Sequence, residues 1–203
     1  MSKLIEEVRE YYTAKIKQFG ATPQGVDWNS KESQELRFDV LSTLIDEPVF
    51  SVLDFGCGFG SMFEYYSKKY ENFNYTGFDI AEEMIQEAVI TFTESKNAVW
   101  TASLPNKKYD YVIASGIFNV KLENTDENWL SYILETIQTL NEVSEKGFAF
   151  NILTSYSDKE YMKDYLFYGD PLLLFDYSKK HFSKNVALLH DYNLYEFTIL
   201  VRK

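Results

Sequence analysis

One cysteine and two histidines in 203 residues leave little material for thiol or metal chemistry. The lone Cys57 excludes an internal disulfide and a cysteine-based zinc cluster, so no metal site is expected. No apolar stretch approaches the ~20 residues that a membrane-spanning helix needs. The opening Met1-Ser2-Lys3-Leu4-Ile5-Glu6-Glu7 carries acids where a secretory signal is basic and then apolar, and a cytoplasmic location is the expectation. Basic residues are scarce too: 20 Lys and Arg face 31 Asp and Glu, for a net charge of −11, and they form no block. Phosphate backbones are held by clustered cations, so nucleic acid is an unfavoured partner. What remains is a composition 45% apolar and 17% aromatic, ordinary for a globular chain. Its length suits one well-buried domain and is short for two.

The most informative stretch is Val52-Leu53-Asp54-Phe55-Gly56-Cys57-Gly58-Phe59-Gly60-Ser61. An apolar run from Val49 to Phe55 ends in three alternating glycines and passes into Met62-Phe63-Glu64-Tyr65-Tyr66, which reads as strand, tight turn and helix. Glycines there permit positive φ and close approach of a ligand, and the free N–H groups of the next helix face whatever binds. A nicotinamide or flavin turn has the spacing G-x-G-x-x-G, which fails here at the third glycine. Asn74 to Ile80 then reads as a second strand whose acid, Asp79, stands 19 residues after Gly60, and a helix follows from Ala81 to Ala88. A carboxylate at a strand end can accept two hydrogen bonds from a ribose diol.

Asp-Phe-Gly-Cys-Gly-Phe-Gly followed by Gly-Phe-Asp-Ile-Ala-Glu-Glu-Met-Ile resembles the first two motifs of the class I S-adenosylmethionine-dependent methyltransferases, of a bacterial, small-molecule type. The resemblance runs from Val49 to the end of the chain. It implies an α/β fold with a Rossmann-like, doubly wound, seven-stranded sheet, mostly parallel, with a C-terminal antiparallel hairpin and an N-terminal helical lid. It also implies that Asp54, Phe55, Gly56, Cys57, Gly58 and Gly60 cradle the cofactor, that Asp79 binds its ribose, and that Ile80 and Met84 pack on its adenine. Cys57 is expected to be a small residue tolerated beside the cofactor rather than a nucleophile, since no histidine is near it in sequence.

Leu4, Ile5, Val8, Tyr11, Tyr12 and Ile16 recur at the three-and-four spacing of an amphipathic helix over Ser2 to Phe19. A loop with Pro23 and Gly25 follows. Asn29 or Ser30 then caps a second helix, whose apolar positions read as Leu36, Val40, Leu41 and Leu44. In this leading segment Phe19-Gly20, Gly25-Val26-Asp27-Trp28 and Arg37-Phe38 are similar to the N-terminal segment of a group of bacterial methyltransferases. Two readings stay open for Arg37: a surface ion pair, or a partner for the cofactor's methionine carboxylate. Trp28 is either a staple of the loop or part of the substrate site.

Ala98 to Thr101 and Tyr109 to Ser115 read as the third and fourth strands. In the family an acid after the third strand usually holds the adenine amino group. Thr101-Ala102-Ser103-Leu104-Pro105 has none, which leaves Ser103, Leu104 or backbone groups to serve. Ser115-Gly116 is placed by the resemblance at the cofactor's methionine end, and Phe118-Asn119 at the substrate entrance. Enzymes of the family that methylate base amines or amides carry Asn/Asp-Pro-Pro-aromatic here. Ser-Gly-Ile-Phe differs, and Asp170-Pro171 lies elsewhere.

Thr125 or Asn124 caps a helix carrying Trp129, Ile133, Ile137 and Leu140, and Lys146 to Leu153 is the fifth strand. Residues 154–183 form an aromatic insert, expected as two helices that partly roof the site. Residues 184–203 read as a hairpin turning at Asp191-Tyr192-Asn193. The division is thus 1–47 lid, 48–153 cofactor core, 154–183 insert and 184–203 hairpin within a single domain of 1–203. If the sixth strand is parallel to the others, its end brings His190, Tyr192 and Glu196 to the active edge. His190 would be a base for a hydroxyl acceptor or a turn-bound histidine, and His181 in its lysine run a solvated one.

The functional expectation is methyl transfer from S-adenosylmethionine to a small-molecule acceptor, at a hydroxyl or carboxyl oxygen. The alternatives are an NAD-dependent oxidoreductase and a non-catalytic protein that binds S-adenosylmethionine.

Overall fold

The computed structural model describes residues 3–28 and 30–203. Met1, Ser2 and Asn29 lie outside them, so the start of the first helix and the alternative cap at Asn29 do too. Ser30 is a cap: its hydroxyl accepts from the Ser33 N–H at 3.1 Å.

Two helices come first, α1 (Lys3–Phe19) and α2 (Lys31–Ser42), joined through a short 3-10 turn at Pro23–Val26. The core alternates from there: β1 (Val49–Phe55), α3 (Ser61–Lys69), β2 (Asn72–Phe78), α4 (Glu82–Thr91), β3 (Ala98–Thr101), β4 (Tyr109–Ala114), α5 (Asp126–Val143) and β5 (Ser144–Leu153). After a loop come α6 (Pro171–His181), β6 (Asn185–Leu189) and β7 (Glu196–Arg202). The seven strands form one sheet in the order β3-β2-β1-β4-β5-β7-β6, parallel except for β7, which runs antiparallel to both its neighbours. Order reverses between β1 and β4. That is the switch point at which open α/β sheets open a ligand crevice beyond the strand ends.

Strand side chains alternate between two cores, as a period of two residues requires. Phe50 and Val52 of β1 face a layer built with Phe38, Leu41, Met62, Phe63, Tyr66, Phe73 and Tyr75. Leu53 faces the other layer, with Val112, Trp129, Ile133, Ile137, Phe148 and Phe150. Val8 joins this second layer, while Ile16 packs on Ala81 and Met84, so α1 stretches across the crevice edge from the α5 side to α4.

Three expectations are corrected. Helix α2 is part of the sheet-covering layer rather than a lid. It buries Gln34, Arg37, Phe38, Leu41 and Ser42, whereas Leu36, read as an inward position, is 37% exposed. The aromatic insert has one α-helix, α6, capped by Asp170, whose Oδ1 accepts from the Leu172 N–H at 2.8 Å, with Pro171 in the first turn. Its first half is held as irregular chain, because the N–H groups of Lys121, Leu122 and Phe167 and the Asn119 and Tyr165 carbonyls bond across to one another. The hairpin loop is longer than three residues, running from 190 to 195.

Candidate active site

The glycine turn is shaped by backbone demands. Gly56, Gly58 and Gly60 all have positive φ, at 83°, 54° and 93°. A Cβ at Gly60 would lie 2.6 Å from the Trp100 ring and 2.7 Å from that of Phe92, so this glycine serves packing behind the turn. It also caps α3 with no side-chain hydrogen bond, which leaves the first N–H groups of that helix open to a ligand. The turn is fastened to β2: the N–H groups of Gly56 and Cys57 both donate to the Phe78 carbonyl, at 2.7 and 3.0 Å.

Asp79 follows directly and braces the same turn. Its Oδ2 accepts from the Gly58 N–H and its Oδ1 from the Ala81 N–H, each at 2.9 Å. Each oxygen keeps a second lone pair, and the side chain is part of the cleft wall. Burial raises its pKa, outweighing the two hydrogen bonds that favour the charge. Asp54, at the end of β1, is 2% exposed and accepts a hydrogen bond from the Tyr75 hydroxyl. Burial pushes its pKa up to about 7, against the lowering effect of Tyr75 and with Asp79 adding to the rise. The Cys57 thiol is raised well above its ordinary value, first by burial and then by Asp54 and Asp79, so it is a poor nucleophile.

These groups line a cleft of about 860 Å³ at the switch point. Asp54, Phe55, Gly56, Cys57, Gly58, Asp79, Ile80 and Met84 form one wall, and Ser115 and Gly116 after β4 form the other. The Ser115 hydroxyl oxygen is buried without a hydrogen-bond partner among the described residues. An orphan hydroxyl, a two-oxygen acceptor and an uncapped helix N-terminus in one apolar cleft suit a nucleoside carrying polar groups at both ends. Of the residues expected at the cofactor, Ser103 and Leu104 are exposed and Arg37 lies elsewhere, so none of the three is in this wall. Val8, Tyr12, Gln34 and Tyr132 are in it and were not anticipated. The signal for the first two was present in the apolar stripe of α1.

A second, wider cleft of about 1810 Å³ adjoins the first, and Tyr12, Val26, Trp28 and Gly116 are walls of both. Asn119 lines it, with Oδ1 accepting from the Leu153 N–H at 3.1 Å. Phe118, expected at the substrate, is instead fully buried in the core, its carbonyl accepting from the Trp129 indole N–H at 2.8 Å. His190 is exposed, 6.0 Å from the Tyr156 and Phe197 rings, and is in neither wall. Tyr192 is also outside both and hydrogen-bonds Thr198 at 3.0 Å. Its hydroxyl is shifted upward, chiefly by burial and then by Glu196.

Arg37, Glu196 and Trp28 do meet, in a closed circuit at the junction of the clefts. Arg37 Nε lies 2.8 and 2.9 Å from the two carboxylate oxygens of Glu196, which is 1% exposed. Asn151 Nδ2 donates to Glu196 Oε1 at 3.1 Å, and Asn151 Oδ1 accepts from the Gly116 N–H at 2.8 Å. The guanidinium stacks 4.1 Å from the centre of the Trp28 ring. Trp28 in turn packs against Gly116, where a Cβ would come within 2.4 Å of its ring. The ion pair of Arg37 is therefore buried, and what it positions is the tryptophan between the two clefts. Burial raises the Glu196 pKa even against the opposing effect of Arg37.

A doubly wound sheet of this strand order, with a three-glycine turn and a strand-end acid at its switch point, defines a class I S-adenosylmethionine-dependent methyltransferase. A family model described as "Methyltransferase domain" matches residues 52–140. The protein "Putative methyltransferase Rv1506c" of Mycobacterium tuberculosis is 48% identical over 155 residues, 76% of this chain and 93% of that one. Among solved structures, the fold is similar to magnesium protoporphyrin IX methyltransferase from Synechocystis with bound SAM, with a TM-score of 0.70 at 15% identity over 100% of this chain and 99% of that chain. It is similar also to DhpI in a SAM-HEP complex, with a TM-score of 0.68 at 15% identity and all of both chains covered. The chain belongs to the methyltransferase family. Its glycine spacing and this membership leave no place for the nicotinamide alternative.

Proposed function

We propose that the first cleft holds S-adenosylmethionine and the second a small-molecule acceptor, methylated at oxygen. The observation that carries the reading is the junction: two clefts of different character share Tyr12, Val26, Trp28 and Gly116 as walls, so a group bound in one is presented to the other. A single binding pocket would suffice for a sensor, and the joined chamber favours transfer.

When bound, the cofactor supplies an activated methyl group on a sulfonium, with a neutral thioether as leaving group. The protein has correspondingly little chemistry to do beyond alignment and exclusion of water. Asp79 and the turn it braces would take the ribose, and Ile80 and Met84 the adenine. The Ser115 hydroxyl and the open N–H groups of α3 would take the polar methionine end. Asp54, poised near neutrality by burial, would stay ionised beside a cationic amine. Nucleic acid is an unfavoured acceptor because the chain carries −11 charge and the second cleft contains only a few cations. Among the described residues no helix is long and apolar enough to cross a membrane.

The test is calorimetric titration with S-adenosylmethionine, S-adenosylhomocysteine and NAD. Micromolar binding of the first two without the third is expected. Binding of NAD alone, or of none, would refute the reading.

A further inference from the structure

We propose that the acceptor enters as a carboxylate and leaves as its methyl ester, with no base supplied by the protein, and that it is a monocarboxylic acid with an apolar body. This rests on the second cleft being the acceptor chamber. The first step is to ask which groups could take a proton there. The chain has two histidines and one cysteine. His181 and His190 are in neither wall, and the Cys57 thiol, in the first, is kept protonated by burial and then by its acidic neighbours. Asp54 and Asp79 line the first cleft alone, and Glu196, paired with Arg37, lines neither. Asp27 is in the second wall, but its carboxylate is occupied. Lys15 Nζ is 2.7 Å from Oδ1, the Tyr11 hydroxyl also donates to the carboxylate, and Oδ2 is closed off from the cleft. Among the described residues, then, no carboxylate or imidazole of the second wall is free to accept a proton. A hydroxyl acceptor must lose one, whereas a carboxylate at neutral pH has none to lose.

The polar groups that are open near the junction are donors. Tyr12 is in both walls, and burial raises its hydroxyl well above the ordinary pKa, so it remains a phenol. Trp28 is in both walls as well. Its Cζ2 and Cε2 are among the atoms nearest to the place of a Gly116 Cβ, which sets the indole edge bearing Nε1–H against a wall that the clefts share. Asn119, 7% exposed, lines the second cleft, and because its Oδ1 is taken by the Leu153 N–H at 3.1 Å, Nδ2 is the free end of the amide. None of these three donors has a hydrogen-bond partner among the described residues, and none is closed off as Asp27 Oδ2 is. Neutral donors without a free carboxylate suit the oxygens of an anion. Past them the wall is made by Phe19, Val120, Leu153, Tyr165, Leu166 and Leu194, which suits an apolar body. One negative charge is as much as the chamber favours, since Lys15 and Arg37 are already paired and the chain's −11 repels a polyacid.

In the step, an oxygen of the acceptor carboxylate forms a bond to the methyl carbon as the carbon–sulfur bond gives its electron pair to sulfur, and no proton moves. One charge of each sign disappears, so a junction poor in water favours the transfer. The experiment uses the full chain, S-adenosylmethionine labelled in the methyl group, and matched acceptors: benzoate and benzyl alcohol, cinnamate and cinnamyl alcohol, octanoate and octanol. Label released as methanol by mild alkali counts esters, whereas an ether keeps it. Binding of each compound is measured separately, by calorimetry in the presence of S-adenosylhomocysteine. The expected result is that acids bind and are esterified while their alcohols are not methylated. Asn119→Asp keeps an oxygen for the Leu153 N–H but puts an anionic oxygen in place of the free donor. It should weaken binding of the acid about tenfold or more, with affinity for S-adenosylmethionine within about threefold of the wild type. Alkali-stable transfer to an alcohol, or no ester from any acid, overturns the proposal. Acid binding unmoved in Asn119→Asp overturns it too, by placing the acceptor outside the second cleft. Failure of the wild type to bind S-adenosylmethionine would instead overturn the assignment of the first cleft.

Discussion

Removing the guanidinium from the junction circuit is a demanding test of the structure, because its cost can be worked out in sign and size. Arg37→Met keeps much of the aliphatic stem but leaves Glu196, 1% exposed, with Asn151 as its remaining side-chain partner among the described residues. Breaking one side of a buried ion pair costs about 3–5 kcal/mol, most of it the penalty of an uncompensated charge. Loss of the stack on Trp28 adds about 0.5–2 kcal/mol. Against a total stability of about 5–15 kcal/mol for a domain, the variant should be only marginally folded at alkaline pH. Burial already holds the Glu196 pKa above its ordinary value. Without Arg37 it should rise further. A carboxyl raised in the folded state contributes full stability below its unfolded pKa and loses it as pH climbs toward the folded pKa. The destabilisation should therefore be smaller at pH 5 than at pH 8. Glu196→Gln in the same chain removes the stranded charge and should restore most of the loss. Urea unfolding at the two pH values, closed into a double-mutant cycle, measures all of this. A cost under about 1 kcal/mol at pH 8, or a double variant equal to the sum of the singles, would show that the pair is not buried as described.

The other predictions follow from the cleft. Asp54, at about pKa 7 against an ordinary 3.8, loses stability as pH rises between those values, by at most about 4 kcal/mol. Asp54→Asn should accordingly raise the melting temperature of the ligand-free protein, by an amount that grows from pH 4 and levels off above pH 7, and a gain independent of pH would contradict the burial of this acid. Gly60→Ala should lower stability by about 2 kcal/mol or more, since its φ is 93° and the new methyl meets the rings of Trp100 and Phe92. Denaturant midpoints check this, and an unchanged midpoint would mean the turn can relax. Cys57, buried with a raised pKa, should resist iodoacetamide at pH 8 in the native state and react fully in urea.

Much of the fold was legible because it is written locally. The apolar run into Gly56, the second strand ending at Asp79 and the closing hairpin each combine a periodicity with turn chemistry, and neighbouring residues suffice to read them. What was not legible depends on distant partners. Leu36 and Val40 look like the inward face of α2, yet Gln34, Arg37 and Phe38 are buried, because Arg37 meets Glu196, 159 residues further on. No local pattern shows that a polar face will be paid for by a carboxylate on the last strand. Residues 154–183 space their aromatics as helices do, but the main chain around Leu166 and Gly169 bridges to Val120 and Thr154, and apart from a 3-10 turn at Lys159–Tyr161 the one helix is α6, from Pro171. In the site, Asp54 to Gly58 and Asp79 line one cleft, as turn and strand-end chemistry suggests, whereas Gly60 packs behind it. Phe118 and His190 were placed by position along the chain, and position alone did not say that one ring turns into the core and the other out to solvent.

The most direct measurement is the affinity of Asp79→Ala for S-adenosylmethionine by calorimetry. The carboxylate's charged hydrogen bonds should contribute about 2 kcal/mol, so the dissociation constant should rise roughly 30-fold while NAD remains unbound by both proteins. An affinity equal to that of the wild type would remove Asp79 from the cofactor site and with it the placement of the nucleoside at the switch point.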